Sequence, residues 1–141
     1  FTAGAREALT VLARYYRLVA LSGADEKELH ALFACREIAT LFFAIRGGPL
    51  TKLRNLRCFE GEEEVLFVGD ARVDVETAQA AGLPFCFMSG YTEWADWSAR
   101  LEEDARGGWQ PLACIRQLPE LLESLHQLVP MRLQPLTGSI A

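Results

Sequence analysis

Asp70 and Asp74 stand four residues apart at the end of an apolar run, in Val65-Leu-Phe-Val-Gly-Asp-Ala-Arg-Val-Asp74. Gly69 permits a tight turn out of a strand, so Asp70 leaves the strand end as a carboxylate and Asp74 falls near the start of the following helix. Two acidic groups so placed make a hard-oxygen site for Mg²⁺. That cation takes one or two carboxylates and fills its shell with water and substrate phosphate. The same residues have a plainer use, with Asp70 capping the helix and Asp74 solvated on its first turn. Taken alone, Gly-Asp before a helix favours that plainer use, because capping is so common.

Positioning these acids requires strands and helices in alternation, and the chain supplies them. Residues Ala5–Tyr16 carry Ala8, Leu9, Leu12 and Tyr15 at helical spacing, and Arg17–Leu21 changes to a short apolar strand closed by Ser22-Gly23-Ala24. Asp25 is placed to start a helix over Glu26–Cys35; Ile38–Ile45 reads as a second buried strand, ended by Arg46-Gly-Gly-Pro49. A short helix over Thr51–Phe59 follows, then a strand over Glu64–Val68 and a helix over Arg72–Ala81 that Gly82 terminates. Leu83–Met88 is the next strand, with a helix over Trp94–Arg106, a short apolar segment Leu112–Ile115 and a last helix over Pro119–Leu128 beyond it. Continuous apolar strands alternating with helices predict an α/β domain with a mostly parallel sheet covered on both faces. Residues 1–128 form this domain, and 129–141, with two prolines and a Thr-Gly-Ser close, a loose tail.

In open α/β sheets ligands bind beyond the carboxyl ends of the strands, so the polar residues there are the ones to weigh. They are Ser22 with Gly23, Arg46-Gly-Gly with Lys52, Asp70 with Asp74, and Ser89-Gly-Tyr91. A serine at a strand end is most often a turn former. Lys52 is one of only two lysines, the other 12 of the 14 basic residues being arginine, and a compact ammonium suits a crowded phosphate site better than a forked guanidinium. Its plain alternative is a solvated lysine at a helix start. His30 and His126 have no ligand partners at metal spacing and read as surface helix positions. Tyr91, Trp94 and Trp97 either line a substrate mouth or pack as core or lid, the second being commoner for aromatics. No phosphate-binding GxxxxGK[ST] loop and no GxGxxG fingerprint is present.

Composition narrows the classes further. At 141 residues the chain holds one hydrophobic core, and a net charge of −5 without any Lys/Arg run argues against nucleic-acid and anionic-membrane partners. No apolar run approaches the roughly 20 residues that span a bilayer. The four cysteines, Cys35, Cys58, Cys86 and Cys114, are singly spaced in apolar settings. They read as free thiols of a reducing, cytoplasmic compartment.

Gly69–Gly82, with GDxxxD followed by an Ala-rich helix and Ala-Gly, closely resembles the fourth motif of the haloacid dehalogenase (HAD) superfamily. Val19-Ala-Leu-Ser22 resembles the second motif, Lys52 the third-motif lysine, and Met88-Ser-Gly-Tyr91 the Gly-Tyr segment that often follows the fourth. The likeness runs from about Gly4 to Leu128, although the family's common Lys-Pro pair is here Lys52-Leu53. It implies a three-layer α/β/α, Rossmann-like fold and a Mg²⁺-dependent phosphatase acting on a small phosphate ester. In that scheme Asp70 binds the metal directly or through water, and Asp74 orients the metal site and Lys52. Lys52, Ser22 and Gly23 hold the phosphoryl group.

The family's chemistry also needs a first motif of DxD type, whose first aspartate attacks phosphorus and whose second is the general acid/base. No DxD occurs in the 141 residues. The expectation is therefore a core lacking its usual central strand, with unpaired strand edges beside the gap. Either an upstream segment carries that strand and the nucleophile, or the chain is a catalytically inactive binding or assembly subunit whose gap is filled by a partner strand. Dehalogenation, which uses the same nucleophile without Mg²⁺, fits the acidic site less well.

Overall fold

Helix α1 (Ala5–Tyr15) buries Ala5, Ala8 and Leu12, the stripe that its apolar spacing dictates, and packs on α6 (Pro119–Leu128). This is a computed structural model, and it describes residues 4–59, 61 and 64–128. The chain divides into two compact units, one of residues up to Asn55 together with those from Leu118 onward, the other Leu56–Gln117. The predicted tail, 129–141, lies outside the described residues.

In the first unit β1 (Leu18–Asp25) runs parallel to β2 (Phe42–Gly48), and α2 (Glu26–Cys35) packs on both. The Asp25 carboxylate accepts the N–H groups of Lys27 (2.9 Å) and Glu28 (3.2 Å), so α2 starts where an N-capping aspartate was expected. Two irregularities interrupt the ladder. Leu18 pairs with Phe42 and Val19 with Ala44, which pushes Phe43 out of register, 61% exposed, with the Arg17 guanidinium 5.1 Å from its ring centre. Leu21 pairs with Arg46 and Asp25 with Gly48, so Ser22-Gly23-Ala24 bulges opposite Gly47.

In the second unit β3 (Phe67–Gly69), β4 (Phe85–Met88) and β5 (Ala113–Ile115) form a parallel sheet in the order β3-β4-β5. Central β4 is the core, with Phe85, Cys86 and Phe87 all essentially buried. Phe67 and Trp109 pack on Phe85, while Trp94 meets Phe87 edge-on and Trp97 lies 5.1 Å from the same ring. Helix α4 (Arg72–Ala81) ends on Gly82 in the left-handed conformation (φ 65°), with Leu83 N–H closing on the Ala78 carbonyl at 3.1 Å. Helix α5 (Trp97–Arg106) completes the unit.

The fold is α/β with parallel strands, as expected, and the strands lie in two ladders, β1-β2 and β3-β4-β5. Among the described residues β1 pairs with β2 alone and β3 with β4 alone.

Several element boundaries differ from those expected. Ile38–Ile45 is not one strand: residues Ala39–Leu41 make a 3-10 turn, closed by Leu41 N–H to Ile38 C=O, and pairing begins only at Phe42. An apolar run alone cannot distinguish these cases. Strands predicted over Glu64–Val68 and Leu83–Met88 shorten to β3 and β4. Their ladder starts at the Phe67–Phe85 pair because Pro84, lacking an N–H, accepts from Phe67 but cannot donate. Helix α3 covers Lys52–Arg57 instead of 51–59, and α5 starts at Trp97 after a Trp94–Trp97 turn. None of the four cysteines is in a disulfide, and only Cys86 is buried; Cys35, Cys58 and Cys114 are exposed despite their apolar neighbours in sequence.

Candidate functional site

The acidic pair is brought together at the carboxyl end of β3, but the two carboxylates differ in setting. Asp74 is buried, 3% exposed, and its Oδ2 accepts the Asp70 N–H (3.2 Å) and the Ala71 N–H (3.1 Å). It occupies the third position of α4 and reaches back to the Ala71 N-cap, half of a capping box. The plainer sequence reading, Asp70 as cap with Asp74 solvated, is thus overturned: the cap is Ala71 and Asp74 is interior. Asp70 itself is half-buried in the loop. Gly69 is needed for a reason beyond turn-making. A Cβ there would lie 2.4 Å from the Asp74 Cβ and 2.6 Å from its carboxylate, so only glycine lets Asp74 fold beneath the strand end.

A second turn, after β4, supports the same loop. Ser89 N–H donates to Ile115 C=O (2.7 Å) and Gly90 N–H to Arg116 C=O (2.8 Å), pinning the turn to the end of β5. Gly90 passes so close to the Arg116 carbonyl that a Cβ would overlap it. From there Thr92 donates its hydroxyl proton to the Asp70 carbonyl and accepts Trp94 N–H at 3.2 Å. A cavity of about 220 Å³ opens beside this arrangement, lined by Asp70, Ala71, Arg72, Tyr91, Glu93 and Trp94. Trp94 thus serves both readings, packing on Phe87 and facing the cavity, whereas Trp97 packs in the core.

The remaining candidates belong to the first unit. Ser22 and Gly23 sit on the β1 bulge, where Ser22 Oγ accepts Ala24 N–H at 3.1 Å and Gly23 is exposed. Facing the bulge, Gly47 comes so near that a Cβ would lie 2.5 Å from the Ala24 carbonyl oxygen. Its N–H donates to Glu26 Oε2 (3.0 Å), and its carbonyl accepts from Asn55 Nδ2 (3.0 Å). Lys52 is the first residue of α3, half-buried, directly after Thr51, whose hydroxyl accepts Arg54 N–H at 3.2 Å. A cation at a helix start gains nothing from the backbone dipole, so helix stability does not explain its presence there.

Thr92, Asn55 and Glu26 were missed in the sequence. Thr92 had a legible signal, a hydroxyl residue in the loop beyond a strand end. Asn55 and Glu26 had none, since only the fold brings them to Gly47.

His30 lies on the surface as expected; the side chain of His126 is outside the described residues. Among the described residues no three His, Cys, Asp or Glu side chains gather closely enough to form a protein-only metal cage. Mg²⁺ keeps several waters and takes one or two carboxylates, and Asp70 beside the cavity is a hard-oxygen donor. Among the described residues no helix is long and apolar enough to cross a membrane.

Parallel strands joined through helices, with an acidic loop at a strand's carboxyl end, make an α/β fold. The chain is similar to a solved structure of a haloacid dehalogenase-like family hydrolase from Streptococcus pneumoniae, with a TM-score of 0.71 and 20% sequence identity. The match covers 88% of this chain and 59% of that one, so this chain spans less than two-thirds of the length of the structure it resembles. At that identity the likeness establishes the fold. No family model matches the sequence, and no curated protein matches it significantly.

Proposed function

We propose that the chain is the larger part of the core of a HAD-like hydrolase, a Mg²⁺-dependent phosphatase acting on a small phosphate ester. The observation that carries this reading is the Asp70 loop, where the backbone N–H is held by Asp74 and the carbonyl by Thr92. A carboxylate at a strand end held on both sides of its Cα is pre-organised for a ligand. Bound there, Mg²⁺ would neutralise charge on the phosphoryl oxygens. Asp70 is the residue that would hold the metal, with Asp74 fixing the loop. Lys52 and Ser22, with Gly23 beside it, are the phosphoryl-holding residues in this reading. The nucleophile comes from outside these 141 residues, since they contain no DxD. Four cysteines, none in a disulfide, suit a reducing compartment such as the cytoplasm.

The test is Asp70→Asn in the full-length protein. Most Mg²⁺-dependent hydrolysis of 4-nitrophenyl phosphate should disappear; unchanged turnover refutes the assignment. The missing DxD also favours a second reading, a non-catalytic HAD-like binding or assembly subunit that takes a partner strand along the open edge of β1 or β3. It predicts no hydrolysis of any phosphate ester by the native protein, together with tight association with a partner.

A further inference from the structure

We infer that Thr92 is a positioning residue for Asp70, setting the direction in which the Asp70 carboxylate leaves the end of β3. The loop after β3 has two supports: Asp74 Oδ2, which takes the N–H groups of both Asp70 and Ala71, and the Thr92 hydroxyl, which adds a second hold on the peptide plane between Asp70 and Ala71. With both flanking peptide planes held, the Cα–Cβ bond of Asp70 has one direction.

Thr92 can do this because it is itself fixed. Its hydroxyl accepts Trp94 N–H, so the donated proton is left pointing at Asp70. Trp94 in turn packs edge-on against buried Phe87. At the other end of the turn, Ser89 and Gly90 are bonded to the carbonyls of Ile115 and Arg116 at the end of β5. The hydroxyl is therefore carried by a turn clamped to the central and outer strands of the sheet. Valine in its place would keep the shape and lose the proton.

The functional consequence rests on reading Asp70 as the metal-binding carboxylate, so the experiment needs one measurement of geometry and one of metal binding. In the full-length protein, the three-bond coupling from Asp70 Hα to the Ala71 nitrogen should report a single ψ at Asp70 in the wild type, an averaged one in Thr92→Val, and a single one again in Thr92→Ser. Titration with Mg²⁺ alone should show affinity falling about tenfold in Thr92→Val, the scale of one hydrogen bond, and returning in Thr92→Ser. A single unchanged ψ in Thr92→Val overturns the positioning role, whatever the metal does. Averaging in Thr92→Val and recovery in Thr92→Ser, with no Mg²⁺ bound by any variant, upholds the positioning role and refutes the metal reading instead.

Discussion

One oxygen of Asp74, Oδ2, accepts the backbone N–H of Asp70 at 3.2 Å and that of Ala71 at 3.1 Å. Two acids that look equivalent in the sequence therefore divide their work. Asp74 builds the loop from inside, and Asp70 lines the cavity.

Asp74→Ala should destabilise the second unit by roughly 2–3 kcal/mol, because two backbone N–H groups lose a charged acceptor in a buried place. Asp74→Asn keeps one oxygen and should cost about half as much. Asp70→Asn, which removes neither backbone hydrogen bond to Asp74, should cost less, as read from urea midpoints. Equal losses at the two positions would contradict the division of roles.

Glycine replacements discriminate close approach from mere flexibility. Gly69→Ala places a Cβ within 2.6 Å of the Asp74 carboxylate and should cost roughly 2–3 kcal/mol. Gly90→Ala, which meets the Arg116 carbonyl, should behave alike. Gly23→Ala has nothing within 4 Å and should stay within about 0.5 kcal/mol of the wild type. Thermal melts of the three proteins, run side by side, check the order.

Asn55 is 3% exposed, and its side-chain amide donates to the Gly47 carbonyl. Asn55→Ala leaves that carbonyl without its donor and should cost about 1–3 kcal/mol. Asn55→Asp should cost more, since it sets a carboxylate against the same oxygen. Denaturant titration of both variants gives the comparison, and an Asp variant milder than Ala would count against the assigned hydrogen bond.

Burial, with Cys114 adding to it, pushes the Cys86 thiol from 9.0 up to about 11. An unfolded chain releases this proton near pH 9 while the folded one keeps it. Stability is thus fully present below pH 9 and falls as pH rises toward 11, by on the order of 2 kcal/mol. Cys86→Ala should flatten that part of the stability profile. Under native conditions at pH 8, iodoacetamide should modify exposed Cys35 and Cys58 readily and Cys86 only after unfolding. Mass spectrometry of the labelled peptides reads this directly.

The sequence by itself determined the elements whose signals are local. Asp25 as a cap, the α4 span with Gly82 in the left-handed region, and Ala8 and Leu12 on the buried stripe of α1 all depend on neighbours within a turn or two. The GDxxxD spacing likewise placed Asp70 at a strand end. Strand limits were less legible, because a ladder starts where both partners can pair; Pro84, just before β4, decides where β3 begins, though the two lie far apart in the chain.

Only tertiary structure decided which acid is buried, and which distant residues serve the loops. Asp74 lies beneath Gly69, Thr92 reaches Asp70 across 22 residues, and Glu26 reaches Gly47 across 21. Such hydrogen bonds join backbone groups to side chains on separate elements, so their partners follow from strand order and turn path. Spacing along the chain carries no record of either.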